Sequence, residues 1–339
     1  MSLYSQIKAA FDPDAIRRYL TSASPVESTV VDTVYRKAIN SPLPAIGVAD
    51  IHRAAKTVPL VTRGGQPINV GGPKGAAALI EPLPIKIFDD ITGQDLSNLR
   101  MIAPKLASLT AWRTAKLDNF RQVIRDTTEA IAAQSLTGKI SWPVARDDGA
   151  GYDTWEYDYG DTKSYAPETL WDAADIKAAA IRRTLKGMRT LVRKAGLGGK
   201  VHYWAGEDAF QAAYSVVESM TAAQALKIAF KVESKDGAID FGGLLLEEMA
   251  ETYPDPLTGE DVLKIPANAV VAWADGSGGW TRFYAALDDL DSGLQALPLF
   301  VKTVKAERTG NIELVAQSKC LPAPVPRATC WATVLGGEE

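Results

Sequence analysis

One apolar stripe with helical spacing constrains the fold of this 339-residue chain more than any other feature. The stripe consists of Leu106, Leu109, Leu117, Phe120, Ile124 and Ile131. The other sides carry Lys105, Lys116, Asp118, Arg121, Arg125 and Glu129. This pattern predicts a helix of about 30 residues and about 45 Å that lies on a surface, because its apolar side chains share one face. Pro104 favours its start, and Leu136 to Gly138 predicts its end.

A glycine-rich segment precedes the helix and lies between two apolar runs, residues 58–62 and 79–88. Its glycines are Gly64, Gly65, Gly71, Gly72 and Gly75. Two strand-like runs around such a segment predict a long, flexible hairpin. A loop of that length is unusual inside a compact domain, so we expect it to reach a neighbouring molecule.

A second hairpin is predicted directly after the helix, with strands over residues 139–144 and 152–159. In its second strand the aromatic and acidic residues alternate, in the order Trp155, Glu156, Tyr157, Asp158 and Tyr159. Successive strand residues point to opposite faces, so the rings and the carboxylates lie on opposite sides. Carboxylate pairs beside aromatic rings are typical of glycosidases, but opposite faces favour a half-buried strand with a solvated acidic side.

The rest of the chain mixes helix and strand patterns without a regular order. Thr169 and Asp172 have the spacing of a helix N-terminal cap and precede a helical pattern over residues 176–192. Apolar runs predict strands at residues 201–205, 241–249 and 268–273, and helices are predicted over 207–220 and 222–230. This arrangement indicates an α+β fold and not a doubly wound parallel sheet.

Charge and composition argue against several classes of function. The net charge is −4 and the pI is near 5.5, so the chain lacks the basic field that sequence-specific nucleic-acid binding needs. No window reaches the ~18 apolar residues of a membrane span, and the start lacks the order of a signal peptide. We therefore expect a cytoplasmic product with no membrane partner, in which Cys320 and Cys330 are free thiols.

The residue patterns give weak support for catalysis or cofactor binding. His52 and His202 are the two histidines, and their positions suggest neither a catalytic triad nor a metal pair. Residues 196–200 lack the leading glycine and the Ser or Thr of a phosphate loop. The acidic residues of 255–261 lack the ligand order of a calcium loop and indicate a hairpin turn. We expect no enzymatic activity, no cofactor and no metal.

A distinctive segment runs from Asn311 to Leu335. An apolar strand leads into Gln317 and Ser318, three prolines at alternate positions interrupt it, and a second strand follows. The long helix ending in Leu-Thr-Gly-Lys, the aromatic hairpin leading to Gly160 and the turn at 205–209 precede it in that order. Taken together, these features resemble the lambda-type phage major capsid protein E family over roughly residues 80–335.

The resemblance implies an α+β fold of the Hong Kong 97 type. The implied parts are an N-terminal arm (1–45), an extended loop (46–90), a peripheral domain with the long spine helix and the second hairpin (91–170), an axial domain (171–305) and C-terminal strands that return to the peripheral domain (306–339).

The resemblance also implies a function. The protein is expected to be the major head protein of a tailed bacteriophage or prophage, which self-assembles into an icosahedral shell around double-stranded DNA and is part of the virion. The implied partners are further copies in pentamers and hexamers, a separate scaffold protein, a portal and a decoration protein. The residues expected at contacts between subunits are Arg63, Gly64, Gly65, Gly71, Gly72 and Lys74.

Two alternatives stay open at this point. The first is an encapsulin-type shell of a bacterial nanocompartment, which shares the fold and differs in its cargo. The second is a carbohydrate-active enzyme that uses Glu156 or Asp158.

Overall fold

A computed structural model gives the arrangement of most of the chain. It describes residues 11–47, 79–95, 97, 106–146, 148–196, 198–220, 232–235, 237–276, 279–305 and 311–336. Within these residues the helices are α1 (Pro13–Ser22), α2 (Thr29–Thr33), α3 (Leu106–Ser135), α4 (Ala178–Arg193) and α5 (Glu207–Glu218). The strands are β1 (Lys37–Asn40), β2 (Ile46–Gly47), β3 (Leu79–Ile80), β4 (Ile85–Ile91), β5 (Lys139–Ala145), β6 (Tyr152–Asp158), β7 (Lys163–Ser164), β8 (Val201–Ala205), β9 (Val232–Lys235), β10 (Ala238–Phe241), β11 (Leu245–Glu248), β12 (Thr252–Pro254), β13 (Asp261–Leu263), β14 (Ala269–Ala274), β15 (Thr281–Tyr284), β16 (Phe300–Lys305), β17 (Ile312–Ser318), β18 (Cys320–Ala323) and β19 (Thr329–Thr333).

The chain folds into two compact units. Unit 1 comprises Met1–Asp50, Gly75–Glu129 and Thr281–Pro322, and unit 2 comprises Ile51–Lys74, Ala130–Trp280 and Ala323–Glu339. Each unit takes its residues from three separate stretches of the sequence, so contacts between distant residues build both. Across the described helices, none combines the length and the apolar character that crossing a lipid bilayer requires.

Unit 1 is built around an antiparallel sheet with the strand order β16-β17-β4. In its central strand Ile312, Leu314 and Ala316 point to one face, since side chains alternate along a strand. That face packs against α1 and α3 in a single apolar core, which also contains Phe11, Ile16, Tyr19, Ile91, Leu117, Phe120, Ile124 and Val301. Residues of the expected N-terminal arm are therefore part of the core of unit 1.

Helix α3 confirms the predicted long helix, with 30 residues. Leu117, Phe120, Ile124 and Ile131 of the apolar stripe are buried, whereas the side chains of Leu106 and Leu109 lie outside the described residues. The expectation of a surface helix is wrong for the last part of α3. Nearly every side chain from residue 128 to 136 is buried, because Ala130, Ala132 and Ala133 are small enough for the helix to be enclosed.

The end of α3 at Leu136 to Gly138 confirms the predicted stop. Gly138 has a φ of +89°, and its N–H donates to the carbonyl of Ser135 at 3.0 Å. A Cβ atom at this position would lie 2.4 Å from the carbonyl oxygen of Gly160. Both the backbone conformation and the close approach therefore require glycine.

Replacing Gly138 by alanine is expected to destabilise the fold by about 3 kcal/mol, because left-handed strain and overlap with the Gly160 carbonyl add. Gly149→Ala is the matched control, since Gly149 has a φ of +69° but no atom within 4 Å of the added Cβ. The control should lower the free energy of unfolding in urea by about 1 kcal/mol. Equal losses for the two variants would contradict the steric argument.

Unit 2 contains a mixed seven-stranded sheet with the order β7-β19-β14-β8-β11-β10-β9. Its inner strand β14 is buried along its whole length, and it pairs antiparallel with both β8 and β19. Helix α4 packs on β14 and β19, and α5 packs on β8 and β11. The predicted mixed sheet and the strand at 201–205 are confirmed. The predicted helix at 222–230 lies outside the described residues.

The second hairpin is confirmed as β5 and β6, with Trp142 opposite Trp155. The N-terminal cap predicted at Thr169 and Asp172 is wrong, because α4 begins at Ala178. The N–H of Trp171 donates to the carbonyl of Val334 at 2.7 Å, and the Asp172 carboxylate accepts from the N–H of Gly336 at 2.8 Å. Contacts with a distant part of the chain thus hold this segment in a non-helical conformation.

The C-terminal segment divides between the two units. Strand β17 lies in the sheet of unit 1, and β19 lies in the large sheet of unit 2. We expected residues 306–339 to return together to one domain. The proline-rich stretch after β18 accounts for the division, because proline lacks the N–H that continuous strand pairing needs.

Candidate functional site

The residues predicted at contacts between subunits all lie outside the described residues: Arg63, Gly64, Gly65, Gly71, Gly72 and Lys74. The structure describes the strands on either side of them. Ile46 pairs with Ile80, and Gly47 pairs with Leu79, in the antiparallel ladder of β2 and β3. The chain therefore leaves and returns at adjacent positions, as the base of a hairpin requires. The extended loop itself stays a prediction.

A buried lysine lies beside this base. Lys319 is 1% exposed, and its Nζ lies 2.9 Å from a carboxylate oxygen of Asp288 and 3.3 Å from one of Glu81. Glu81 follows β3 directly in the chain. A buried ammonium group needs such partners, since an unpaired charge in the interior is strongly unfavourable. Lys319 thus fixes the returning strand of the loop to the body of unit 1.

The charged side of α3 binds the N-terminal segment. The Tyr19 hydroxyl donates to the Asp118 carboxylate, and Arg121 donates to the Asp118 carboxylate at 3.0 Å. One turn further along, Arg125 forms an ion pair with Asp32. Residues three or four positions apart share one face of a helix, so these contacts form a row.

Glu129 ends this row and corrects the prediction that it faces solvent. Its side chain is 4% exposed, and its two carboxylate oxygens accept from the N–H groups of Val30 at 2.7 Å and Val31 at 2.8 Å. These amides belong to the first turn of α2, where N–H groups have no partner within the helix. The spacing of the charged residues along α3 could have indicated that they share one face. Their partners in the N-terminal segment could not be predicted from the sequence.

Three large apolar side chains are exposed on the outer face of the unit 1 sheet, namely Phe88 of β4 and Leu290 and Leu294 of the turn that Asp289 holds on this face; together they are called the apolar patch. Phe88 lies opposite Val315, which lies opposite Lys302 in the next strand. Phe88 is 69% exposed, and Leu290 and Leu294 are 88% and 55% exposed. Several large apolar side chains exposed on one face favour a surface that contacts another protein.

The turn that carries the two leucines is held on this face by Asp289. The Asp289 carboxylate lies 2.7 Å from Nζ of Lys302 and accepts from Nε2 of Gln317 at 2.8 Å. Burial acts to raise the pKa of Asp289, but the hydrogen bonds from Lys302, the Asp291 N–H and Gln317 outweigh it and lower this pKa. The same ion pair raises the pKa of Lys302.

Leu294 has a φ of +55°, which is a strained conformation for leucine. The strain persists because the clamp at Asp289 fixes the turn. The clamp thus positions two exposed apolar side chains that the sequence analysis did not single out.

Asp289→Asn is expected to lower the free energy of unfolding by about 1–3 kcal/mol at pH 7, because the Lys302 ammonium loses the nearer and more buried of its two carboxylate partners. A lowered carboxyl pKa contributes stability above about pH 4, and this contribution is lost as the pH falls through the folded pKa. The difference in free energy of unfolding between the wild type and Asp289→Asn, measured in urea, should therefore become smaller below about pH 4.

Asp291→Asn is the matched control, since its side chain is 70% exposed and lies 3.1 Å from Lys302. This variant should lower the free energy of unfolding by less than about 1 kcal/mol. An equal loss for both variants would contradict the assignment of the clamp to Asp289.

The carboxylates of the second hairpin are not arranged as a glycosidase pair. Asp158 is exposed, forms an ion pair with Lys139 at 3.1 Å and accepts from the N–H of Gly160 at 2.7 Å. The Gly160 and Lys139 contacts lower the pKa of Asp158, whereas a catalytic acid needs a raised one. Trp155 and Tyr157 lie on the opposite face of β6.

The other chemical candidates have structural roles. Cys320 and Cys330 are buried free thiols, as predicted, and burial raises the pKa of each to about 12. The carboxylate of Asp255 accepts from the N–H groups of Leu257 and Thr258, which confirms a hairpin turn between β12 and β13. Across the part of the chain that the structure describes, no group of three or more His, Cys, Asp or Glu side chains forms a metal site.

Comparison with known proteins assigns the family. The sequence profile described as Phage major capsid protein E matches residues 12–334. The chain therefore belongs to the phage major capsid protein E family, and the resemblance found in the sequence is confirmed. The comparison with curated proteins gave no match.

Several solved structures are similar. A crystal structure described as that of a prophage capsid protein from E. coli CFT073 is 16% identical, with a TM-score of 0.61 over 95% of this chain and 98% of that chain. A phage-related protein from Bordetella bronchiseptica RB50 is 11% identical, with a TM-score of 0.47 over 97% and 98%. The SrpI encapsulin of Synechococcus elongatus PCC 7942 is 8% identical, with a TM-score of 0.44 over 94% and 95%.

The similarity to the first of these structures shows the fold of this chain, which is the α+β capsid fold of the Hong Kong 97 type. The protein is accordingly a phage major capsid protein, and many copies build the icosahedral shell of the virion. Family membership favours this assignment over an encapsulin.

Proposed function

We propose that this protein is the major head protein of a tailed phage or prophage, whose copies form pentamers and hexamers and enclose double-stranded DNA. The observation that carries the proposal is the family match over residues 12–334. In a closed shell several neighbours hold each copy at once, so modest contacts add to a stable assembly. Its role is structural, with a separate scaffold protein, a portal and a decoration protein as further partners.

The base of the predicted loop and the apolar patch, both in unit 1, support a specific contact between copies. The segment from Arg63 to Lys74 leaves from a base that β2, β3 and Lys319 hold in place. We propose that this segment of one copy lies on the apolar patch of the next copy. The glycines of the segment would let it follow neighbours at different angles, as pentamers and hexamers require.

Charge on the outer face of the sheet favours the same arrangement. Asp90 lies directly opposite Glu313 and on the same face as Phe88, two positions further along β4. Like charges opposite one another destabilise a sheet. Neither carboxylate has a cationic partner among the residues that the structure describes. Arg63 and Lys74 of a neighbouring copy would supply the missing positive charge.

Deleting residues 64–75 should leave a folded, soluble chain that no longer forms closed shells, because the contact with the next copy is lost. The measurement is circular dichroism for folding and electron microscopy for shells, with the protein expressed beside its neighbouring genes. Leu257→Ser is a control, since Leu257 is 54% exposed in a turn of unit 2. Shells of normal shape from the deletion would contradict the proposal.

A charge exchange tests the pairing itself. Asp90→Lys with Glu313→Lys should abolish shells, and so should Arg63→Glu with Lys74→Glu, because each pair then meets like charge. Combining all four changes should restore assembly, as measured by the sedimentation of shells. If each pair abolishes shells and the combination stays unassembled, the proposed pairing is wrong.

A further inference from the structure

Unit 2 contains a partly open cavity of about 120 Å³ beside the large sheet. Its wall is formed by the last turns of α4, the start of β8, and the turn and strand at 243–247. Four basic side chains line it, namely Arg189, Arg193, Lys200 and His202. Nothing in the capsid function described above uses this cavity.

The basic groups around the cavity lack acidic partners. The side chains of Arg189, Arg193 and Lys200 make no hydrogen bond or ion pair with any residue in the described ranges of the chain. By contrast, Arg183 on the same helix binds Glu168 at 2.6 Å. Arg189 is half-buried, whereas Arg193 and Lys200 are exposed. Guanidinium groups beside a cavity normally pair with carboxylate or phosphate, so two unpaired ones at this cavity favour the binding of an anion.

Tyr203 supplies a second, independent indication. Its side chain lines the cavity and is 1% exposed, and its hydroxyl has no hydrogen-bond partner among the described residues. Burial raises the pKa of Tyr203, and the nearby charges of Arg189 and Arg193 oppose this rise only in part. The hydroxyl therefore stays protonated, as a buried donor without an acceptor. Such a group costs stability unless a ligand accepts from it.

The negative groups near the cavity do not cancel its charge. Glu247 also lines the wall, but it accepts from Nε1 of Trp204 at 3.0 Å. Asp275 lies outside the lining, 3.3 Å from His202, and it accepts from the N–H of Lys200. The C-terminal end of α4 contributes a partial negative charge of about one half. Within the wall itself, the three positive charges of Arg189, Arg193 and Lys200 exceed the negative charge of Glu247 and of the helix end together.

We propose that this cavity binds a phosphate group. A volume of about 120 Å³ is somewhat smaller than a cavity of about 150 Å³ that holds benzene, and it accommodates one tetrahedral oxyanion. The guanidinium groups of Arg189 and Arg193, four positions apart on α4, would bind its oxygens, and the Tyr203 hydroxyl would donate to it. The group comes either from inorganic phosphate or from a phosphodiester of a nucleic acid.

The test compares thermal unfolding of the full chain in about 20 mM inorganic phosphate and in sodium chloride of equal ionic strength. Phosphate should raise the midpoint of the wild-type protein. Arg189→Gln should weaken phosphate binding about tenfold, because it removes a bidentate partner. Arg183→Gln, on the same helix but outside the cavity, should bind phosphate as the wild type does.

Tyr203→Phe separates binding from a purely structural role. Without phosphate this variant should be at least as stable as the wild type, because it removes a buried donor that lacks an acceptor. Phosphate should raise the unfolding midpoint of this variant by less than it raises that of the wild type. A purely structural tyrosine would instead lose stability under both conditions.

A thymidine oligonucleotide at the same phosphate concentration distinguishes the two sources. A rise in midpoint that Arg189→Gln abolishes would assign the site to a phosphodiester, and a rise with inorganic phosphate alone would assign it to the free ion. The proposal is overturned if neither ligand stabilises the protein beyond chloride, or if the ligand stabilises Arg189→Gln and Tyr203→Phe as much as it stabilises the wild type.

Discussion

The row of polar contacts along α3 is the interaction on which unit 1 depends. Glu129 holds the first amides of α2, and Arg125 pairs with Asp32 in the same helix. Asp118 and Arg121 bind Tyr19 and Ser24 in the chain before it. These contacts place α1 over the sheet, where Phe11 closes the apolar core. A buried carboxylate without its two amide donors would be strongly unfavourable, so helix and N-terminal segment are stable only together.

This arrangement explains why a shell subunit can carry an exposed apolar surface. One face of the β16-β17-β4 sheet is filled by α1 and α3, and the opposite face is left to the clamp at Asp289 and the apolar patch. A strained turn that presents two leucines to solvent has no benefit for a monomer. It is consistent with a surface that a neighbouring copy covers, as the proposed contact between copies requires.

Local periodicity predicted α3, the second hairpin and the strands of unit 2, because those patterns depend on near neighbours in sequence. It failed at Thr169, where Val334 and Gly336 hold the segment, and at Glu129, where a polar residue faces a distant backbone. The family resemblance placed the expected contacts in residues 63–74. Neither approach found the patch or the cavity, since both depend on the register of strands far apart in the chain.

Hydrogen–deuterium exchange on shells and on unassembled subunits tests the central claim that copies meet on the outer face of unit 1. The account predicts slower exchange in shells for peptides covering residues 85–91 and 288–295, with no change in the exposed turn at 255–259. Equal exchange of the first two peptides in both states would contradict it.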